Sequence, residues 1–248
     1  MRLTDDVELL DGLPIAYIRS INALAVADLH LGYEGVASKG IALLPKVNLS
    51  NIMKSISTAI KKTGANAVIV DGDIKNEFSR VDQEEFNELY DFIMFGKSER
   101  VSLILIKGNH DNFVERYKDS FKLKIYRQEA DIGGYLFFHG EYLPENITKN
   151  TTMLVMGHEH PSIGVYNSIG SKERLRCFLY GKYMGVPLLI LPAMNYFAGG
   201  TEMNSEPRSS LLSPIFKKAD PNGMNAIVVG YGSTMDFGKV GKLRGLRA

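Results

Sequence analysis

Five short apolar runs in this chain each give way abruptly to residues that are costly to bury. Ala23–Ala27 is followed by Asp28-Leu29-His30, and Ala67–Val70 by Asp71-Gly72-Asp73. Leu103–Ile106 leads to Gly108-Asn109-His110-Asp111, and Tyr135–Phe138 to His139-Gly140. Met153–Met156 leads to Gly157-His158-Glu159-His160. Runs of this length and composition suit buried strands. Open α/β sheets form their ligand sites outside the carboxyl ends of strands, and unpartnered polar groups are expensive anywhere else in a core. Five strands therefore deliver Asp, Asn and His to one edge. All five histidines of the chain are among them. Each fragment alone is weak: D-x-H recurs by chance, G-D is usually a turn, and G-N-H-D reads equally as a helix cap. Together and in order they bind the fold to a chemistry.

The stretches between the runs predict helices. Leu49–Lys62 carries Ile52, Ile56 and Ile60 at intervals of four and closes at Gly64. Asp82–Phe95 places Phe86, Leu89 and Ile93 on one face, with Asp82 as its N-cap. A short helical stretch is expected near Phe113–Tyr117. Glu8–Leu10 and Ile15–Ile18 flank Asp11-Gly12 as a hairpin. The second half is mostly strand-like, with Ala226–Val229 and a hairpin from Cys177–Leu179 to Val186–Leu191 turning near Gly181. The expectation is an α/β (α+β) fold with two mixed sheets packed as a sandwich flanked by helices. With 248 residues and ligand-type residues in both halves, one domain over 1–248 is expected.

Composition excludes several classes. The lone Cys177 cannot form an internal disulfide or a thiolate metal site. The N-terminus is charged where a signal peptide is apolar. The longest apolar window, Val186–Met194, has nine residues and two prolines, against the ~20 of a membrane helix. A cytoplasmic protein away from membranes is expected. The charges nearly cancel, 29 Lys+Arg against 28 Asp+Glu, so no strong whole-protein attraction to nucleic acid is expected.

The ordered set D-x-H, G-D, G-N-H-D, H and G-H-x-H resembles the signature of the calcineurin-like binuclear metallophosphoesterases. Asp28-Leu29-His30-Leu31-Gly32 and Leu191-Pro192-Ala193, followed by Gly199-Gly200, are similar to the compact branch of archaeal and DNA-ligase-associated phosphoesterases, and distantly to the double-strand-break-repair exonucleases. The chain is too short for the exonucleases' capping region and tail. The resemblance implies a four-layer αββα fold. It implies that Asp28, His30, Asp73 and His160 hold one metal. Asp73, Asn109, His139 and His158 would hold the other, with Asp73 bridging. It implies that His110 contacts the substrate phosphate and assists the leaving group.

Oxygen and imidazole ligands without thiolate suit two divalent ions, with Mn expected and Fe, Zn, Co or Ni also compatible. Two such cations, Asp28, Asp73 and a metal-bridging hydroxide sum to about +1, which attracts phosphate. The expected activity is hydrolysis of phosphate esters, phosphodiesters foremost, by that hydroxide. The alternatives are a repair-associated nuclease and a non-catalytic scaffold. The expected partner is a phosphate ester, with a nucleotide or nucleic acid among the candidates.

Three further readings stay open at this level. Asp111 either orients His30 or His110 through a ring N–H or caps a helix. Asn195 either faces substrate at the rim of the metal cleft or ends a strand. Lys172, Arg174 and Arg176 alternate along a strand and share a face. That face is either a solvated surface or a contact for a nucleic-acid backbone, and the same choice applies to Lys239, Lys242, Arg244 and Arg247 in the C-terminal tail.

Overall fold

The computed structural model describes residues 1–38, 47–77, 83–166, 170–230 and 232–245. The first sheet runs in chain order: β1 (Val7–Leu9), β2 (Ala16–Ile18), β3 (Ala23–Val26), β4 (Ala67–Asp71), β5 (Ser102–Ile106) and β6 (Lys124–Tyr126). The first three strands pair antiparallel. From β3 onward the pairing is parallel, which needs crossover connections. Helices supply them: α1 (Tyr33–Ser38) and α2 (Asn48–Thr63) before β4, α3 (Gln83–Ser98) before β5, and α4 (Lys118–Phe121) before β6.

The second sheet contains β7 (Glu129–Ile132), β8 (Tyr135–Phe138), β9 (Met153–Met156), β10 (Pro161–Tyr166), β11 (Lys172–Tyr183), β12 (Val186–Ile190) and β13 (Thr201–Glu202). Their spatial order is β13-β10-β11-β12-β9-β8-β7. β14 (Asn225–Gly230) pairs with β11 and with β15 (Ser233–Lys239).

The alternation of side chains across each strand sorts the core into layers. In β3, Leu24 and Val26 join Val68, Val70 and Leu105 against Ile52, Ile56 and Phe92 of the helices. Ala23 and Ala25 point the other way, with Ile69 and Ile106, onto Phe137, Val155, Phe178 and Leu189 of the second sheet. Alanines on that face let the sheets approach closely. The outer face of the second sheet packs under the 3-10 turn Pro214–Lys217, through Ile215 and Phe216. Two mixed sheets packed face to face with flanking helices are the expected fold.

Both interior helices form close to expectation. Ile52, Ile56 and Ala59 are buried on α2, and Gly64 closes it with an N–H returned to the Ile60 carbonyl. Its start lacks a cap from Val47. Buried Glu34 accepts the backbone N–H groups of Val47 (3.1 Å) and Asn48 (2.7 Å) instead, satisfying orphan donors of the first turn. Asp82, the expected N-cap of α3, lies outside the described residues, as does Arg247 of the tail. The expected turn near Gly181 is displaced: β11 continues to Tyr183, and the chain reverses at Met184-Gly185. Gly181 instead stays in the ladder opposite Leu188. Among the described residues, no helix is long and apolar enough to cross a membrane.

Candidate metal centre

The five polar strand ends converge on one cleft. Asp28 and His30 follow β3, Asp73 follows β4, and Asn109 and His110 follow β5. His139 follows β8, and His158 and His160 follow β9. The backbone itself is bent to aim these side chains. Asp28, His30, Asp73, His158 and His160 all have left-handed φ, between 45° and 68°. Non-glycine residues rarely adopt that region, and such strain gathers at sites where the surroundings enforce it. Neighbouring backbone holds the bends: Asp28 N–H donates to Gly72 O at 3.1 Å and His30 N–H to Asp73 O at 2.9 Å.

Two glycines make room. A Cβ on Gly72 would lie 1.9 Å from His139 Nδ1, and one on Gly108 would lie 2.2 Å from Asp73 Oδ1. Their places in G-D and G-N-H-D are therefore spatial requirements of the cleft.

Ligand-type atoms cluster in three overlapping triads: Asp28, His30 and His160; His30, Asp73 and His110; and Asp73, His139 and His158. His160 Nε2 lies 3.1 Å from Asp28 Oδ1, and His139 Nε2 lies 3.1 Å from Asp73 Oδ2. His30 Nε2 is 3.3 Å from His160 Nε2. Asp73 and His30 each belong to two of the triads, so the three clusters adjoin. Asn109 Oδ1 is buried without a hydrogen-bond partner. A buried amide oxygen left unpaired is costly unless something else takes its lone pairs. With carboxylate oxygen and imidazole nitrogen around it, the donor set fits divalent cations.

Burial and mutual charge set the protonation of the cluster. Burial pushes both Asp28 and Asp73 upward, but His160 and His139 outweigh it for Asp28, and His139, His30 and His110 outweigh it for Asp73. Both carboxyls are held below their usual range. Burial pulls His30 and His158 down to about 4, which keeps their imidazoles neutral and their lone pairs available at neutral pH. Burial also pulls on His139, but Asp73 and Asp28 override it and raise this imidazole well above the ordinary histidine value.

Surrounding groups hold the ligands rather than join them. His139 Nδ1 lies 2.9 Å from the Asp71 carbonyl, which orients the ring. The Asp71 carboxyl is fully buried, and desolvation raises its pKa well above the carboxylate range. Glu159 points away from the cleft, accepting N–H groups from Leu212 and Ser213.

Two readings that the sequence leaves open are narrowed by what the side chains touch. The Asp111 carboxylate is engaged with backbone. Its oxygens accept backbone N–H groups from Lys75 (3.1 Å) and Gly108 (2.9 Å), joining the loops that carry Asp73 and Asn109. Asn195 lines the cleft, but its side chain is engaged with backbone: Oδ1 accepts from Phe197 N at 2.7 Å, and Nδ2 reaches His30 O at 3.5 Å. It braces the rim against the His30 loop.

Sequence reasoning missed what orients His110. Its Nδ1 lies 2.6 Å from the carbonyl of Asn76. The loop at Asn76 is fixed by a buried ion pair, Lys75 Nζ to Glu85 Oε1 at 2.5 Å. Glu85 Oε2 also accepts the N–H groups of Asn76 and Glu77. A lysine two residues beyond Asp73 and a glutamate at the start of a helix gave no signal of pairing.

The calcineurin-like phosphoesterase profile matches residues 21–188, more than half of the chain. No curated protein matches the sequence. Among solved structures, the nuclease MPE of Pseudomonas putida is similar with a TM-score of 0.61 and 18% identity, over 92% of this chain and 93% of that one. The phosphoesterase Yfce of E. coli aligns more loosely, with a TM-score of 0.40 and 14% identity over 72% of this chain and 83% of that one. At such identities the likeness to the nuclease speaks to fold alone. The family match and the His/Asp clusters at the sheet edge agree: the chain belongs to the calcineurin-like phosphoesterases, hydrolases acting on phosphate esters.

Proposed function

We propose that this chain hydrolyses phosphodiesters at a dinuclear centre held by Asp28, His30, Asp73 and His160 on one side and by Asp73, Asn109, His139 and His158 on the other. The observation that carries the reading is that two ligand-type triads, Asp28–His30–His160 and Asp73–His139–His158, adjoin in one cleft, with Asp73 Oδ2 4.0 Å from His30 Nε2 between them. Two bound divalent cations, Mn²⁺ being the expected pair, supply water activation near neutral pH and charge to offset the phosphate oxygens.

The protein's own groups do the rest. His30 and His158, kept neutral by burial, present lone pairs without first losing a proton. Asn109 contributes a neutral oxygen, so the centre retains positive charge for an anionic substrate. His110 is the acid. The Asn76 carbonyl can only accept, so Nδ1 carries a proton and the ring is fixed in one orientation. Nε2 then faces the cleft, 3.8 Å from Asp73 Oδ2. As the imidazolium, with Nε2 protonated as well, it can donate that proton to a leaving oxygen and return to the neutral Nδ1–H form, a contribution worth roughly 10²–10⁴-fold.

Among phosphodiesters, a polynucleotide is the reading favoured by the cationic row Lys172, Arg174 and Arg176, whose two arginines line the cavity beside the cluster. The test of the core proposal is a pair of variants assayed for metal content and for Mn²⁺-dependent cleavage of bis(p-nitrophenyl) phosphate. Asp73→Asn loses metal and activity together. His110→Ala keeps its metal while turnover falls. Retention of both by Asp73→Asn contradicts the centre, and loss of metal from His110→Ala makes His110 a ligand.

A further inference from the structure

Beside the metal cluster lies a cavity of about 290 Å³ that shares His160 with it. Its other walls include Ser162, Arg174, Arg176, Tyr196 and Gly199. Arg176 is the unusual member. It faces inward from β11, opposite Ser162 of β10, and is half-buried. Its Nη1 donates to the Ala193 carbonyl at 3.2 Å, and its guanidinium packs 5.3 Å from the centre of the Tyr196 ring. Among the described residues no carboxylate pairs with it. Desolvation lowers its pKa from the ordinary guanidinium value. A charge taken partly out of water without a counter-charge is expensive to keep.

The neighbouring cations are only partly compensated. Lys172 Nζ lies 2.6 Å from Glu202 Oε1, and Arg174 Nε lies 3.3 Å from Glu202 Oε2. Three cations along β11 therefore face one carboxylate, leaving a net of two positive charges. They step away from the metal centre at every second residue, about 7 Å apart along the strand. Tyr196 is 62% exposed at the cavity wall. One ring face is engaged by Arg176, and the side chain offers a stacking platform to a base.

We propose that this cavity is a second phosphate subsite, with Arg176 as its anchor, and that it directs the enzyme to a single-stranded polynucleotide. One phosphate of the strand lies at the metal centre, the next meets Arg176, and Arg174 and Lys172 follow the backbone outward. A base stacks on Tyr196. A linear row of cations leading away from a hydrolytic centre matches a linear polyanion better than a compact mononucleotide. The inference rests on the function proposed above and adds the substrate class and the residue that selects it. Guanidinium is suited to the task, since it presents a fork of donors to phosphate.

The test uses full-length protein and a fluorescein-labelled (dT)12. Binding is read by anisotropy in EDTA across a salt series, so it does not depend on turnover. Arg176→Gln is expected to weaken binding about tenfold and to reduce the slope of log K against log salt by about 0.7, the loss of one phosphate contact on a single strand. Arg174→Gln, on an exposed side chain, is expected to weaken binding about threefold and serves if Arg176→Gln does not fold. In Mn²⁺, the ratio of kcat/KM on (dT)12 to that on bis(p-nitrophenyl) phosphate is expected to fall at least tenfold in Arg176→Gln. Thymidine 5′-monophosphate is expected to compete at least a hundredfold more weakly than (dT)12.

Unchanged affinity and slope in both arginine variants overturn the subsite. So does a mononucleotide that competes as well as the oligonucleotide. If wild-type protein binds (dT)12 as described but never cleaves bis(p-nitrophenyl) phosphate, the hydrolytic reading fails while the subsite stands.

Discussion

The ring of His110 is oriented by the carbonyl of Asn76, 2.6 Å from Nδ1, and that carbonyl belongs to a loop fixed by a buried lysine–glutamate pair. Lys75 Nζ also donates to the Glu77 carbonyl at 3.1 Å, so the pair closes both ends of the loop. The proposed acid therefore depends on α3, an element that touches no ligand of the cluster. Truncating one partner of such a pair leaves the other charge buried, at a cost of about 3–5 kcal/mol. Glu85→Gln is expected to lose stability on that scale in a denaturant melt. It is also expected to lower kcat on bis(p-nitrophenyl) phosphate at least tenfold with metal content intact. A purely structural role predicts the stability loss with kcat preserved.

Gly108 lies against Asp73, and an added Cβ would stand 2.2 Å from Oδ1 and 2.6 Å from the backbone nitrogen. Neither atom belongs to a flexible chain end that could swing aside. Gly108→Ala is expected to displace the shared carboxylate and lower Mn²⁺ affinity at least tenfold, read by titration calorimetry. Wild-type affinity would show that Asp73 can shift without consequence.

Asp6 joins the edge of the first sheet to the second. Its Oδ2 accepts from Tyr135 OH at 2.6 Å, and its Oδ1 accepts the Ser20 N–H at 2.8 Å. Burial pushes its pKa up, but these hydrogen bonds and Arg19 outweigh burial and hold it below 3.8. A carboxyl depressed on folding contributes stability above its unfolded value and loses that contribution as pH falls through the folded value. The group is largely exposed, so solvent screening limits its worth to about 1 kcal/mol. Asp6→Asn is expected to be less stable than wild type by that amount at pH 7. The two melting curves should converge as pH falls below the ordinary carboxylate range and through the lowered folded-state value.

Cys177 is fully buried within the second sheet, and desolvation raises its thiol pKa far above the ordinary value. The thiolate is the reactive species. The native protein is expected to resist Ellman's reagent at pH 8 for hours and to react with one equivalent in guanidinium chloride. Rapid labelling of the native protein would place this part of the sheet in exchange with an open state.

Most of what positions the cluster was legible in the sequence because one physical rule produced both signals. An apolar run marks a buried strand, and the polar residue that ends it marks the sheet edge. That rule located Asp28, Asp73, Asn109, His139 and His158 before any geometry was known. The left-handed backbone at Asp28, His30, Asp73, His158 and His160 was not legible, because only neighbouring strands enforce it. β10 is broken up by Pro161, Ser162 and Gly164, and β15 mixes exposed and small residues, so neither shows the continuous apolar run that marks a strand. The Glu34 cap of α2 and the Lys75–Glu85 pair were hidden for another reason. Each joins residues ten or more positions apart, and a charged side chain on a loop or a helix ordinarily faces solvent. Asp111 and Asn195 carried the right residue types for chemistry, yet both are committed to backbone N–H and carbonyl groups.

The proposed hydrolytic centre is dinuclear and organised around Asp73. The most direct measurement is a titration of metal-stripped protein with Mn²⁺ while the rate of bis(p-nitrophenyl) phosphate hydrolysis is followed. Two overlapping ligand sets predict that activity rises to a plateau at two equivalents per chain. A plateau at one equivalent, or no Mn²⁺-dependent hydrolysis at any ratio, would contradict the account.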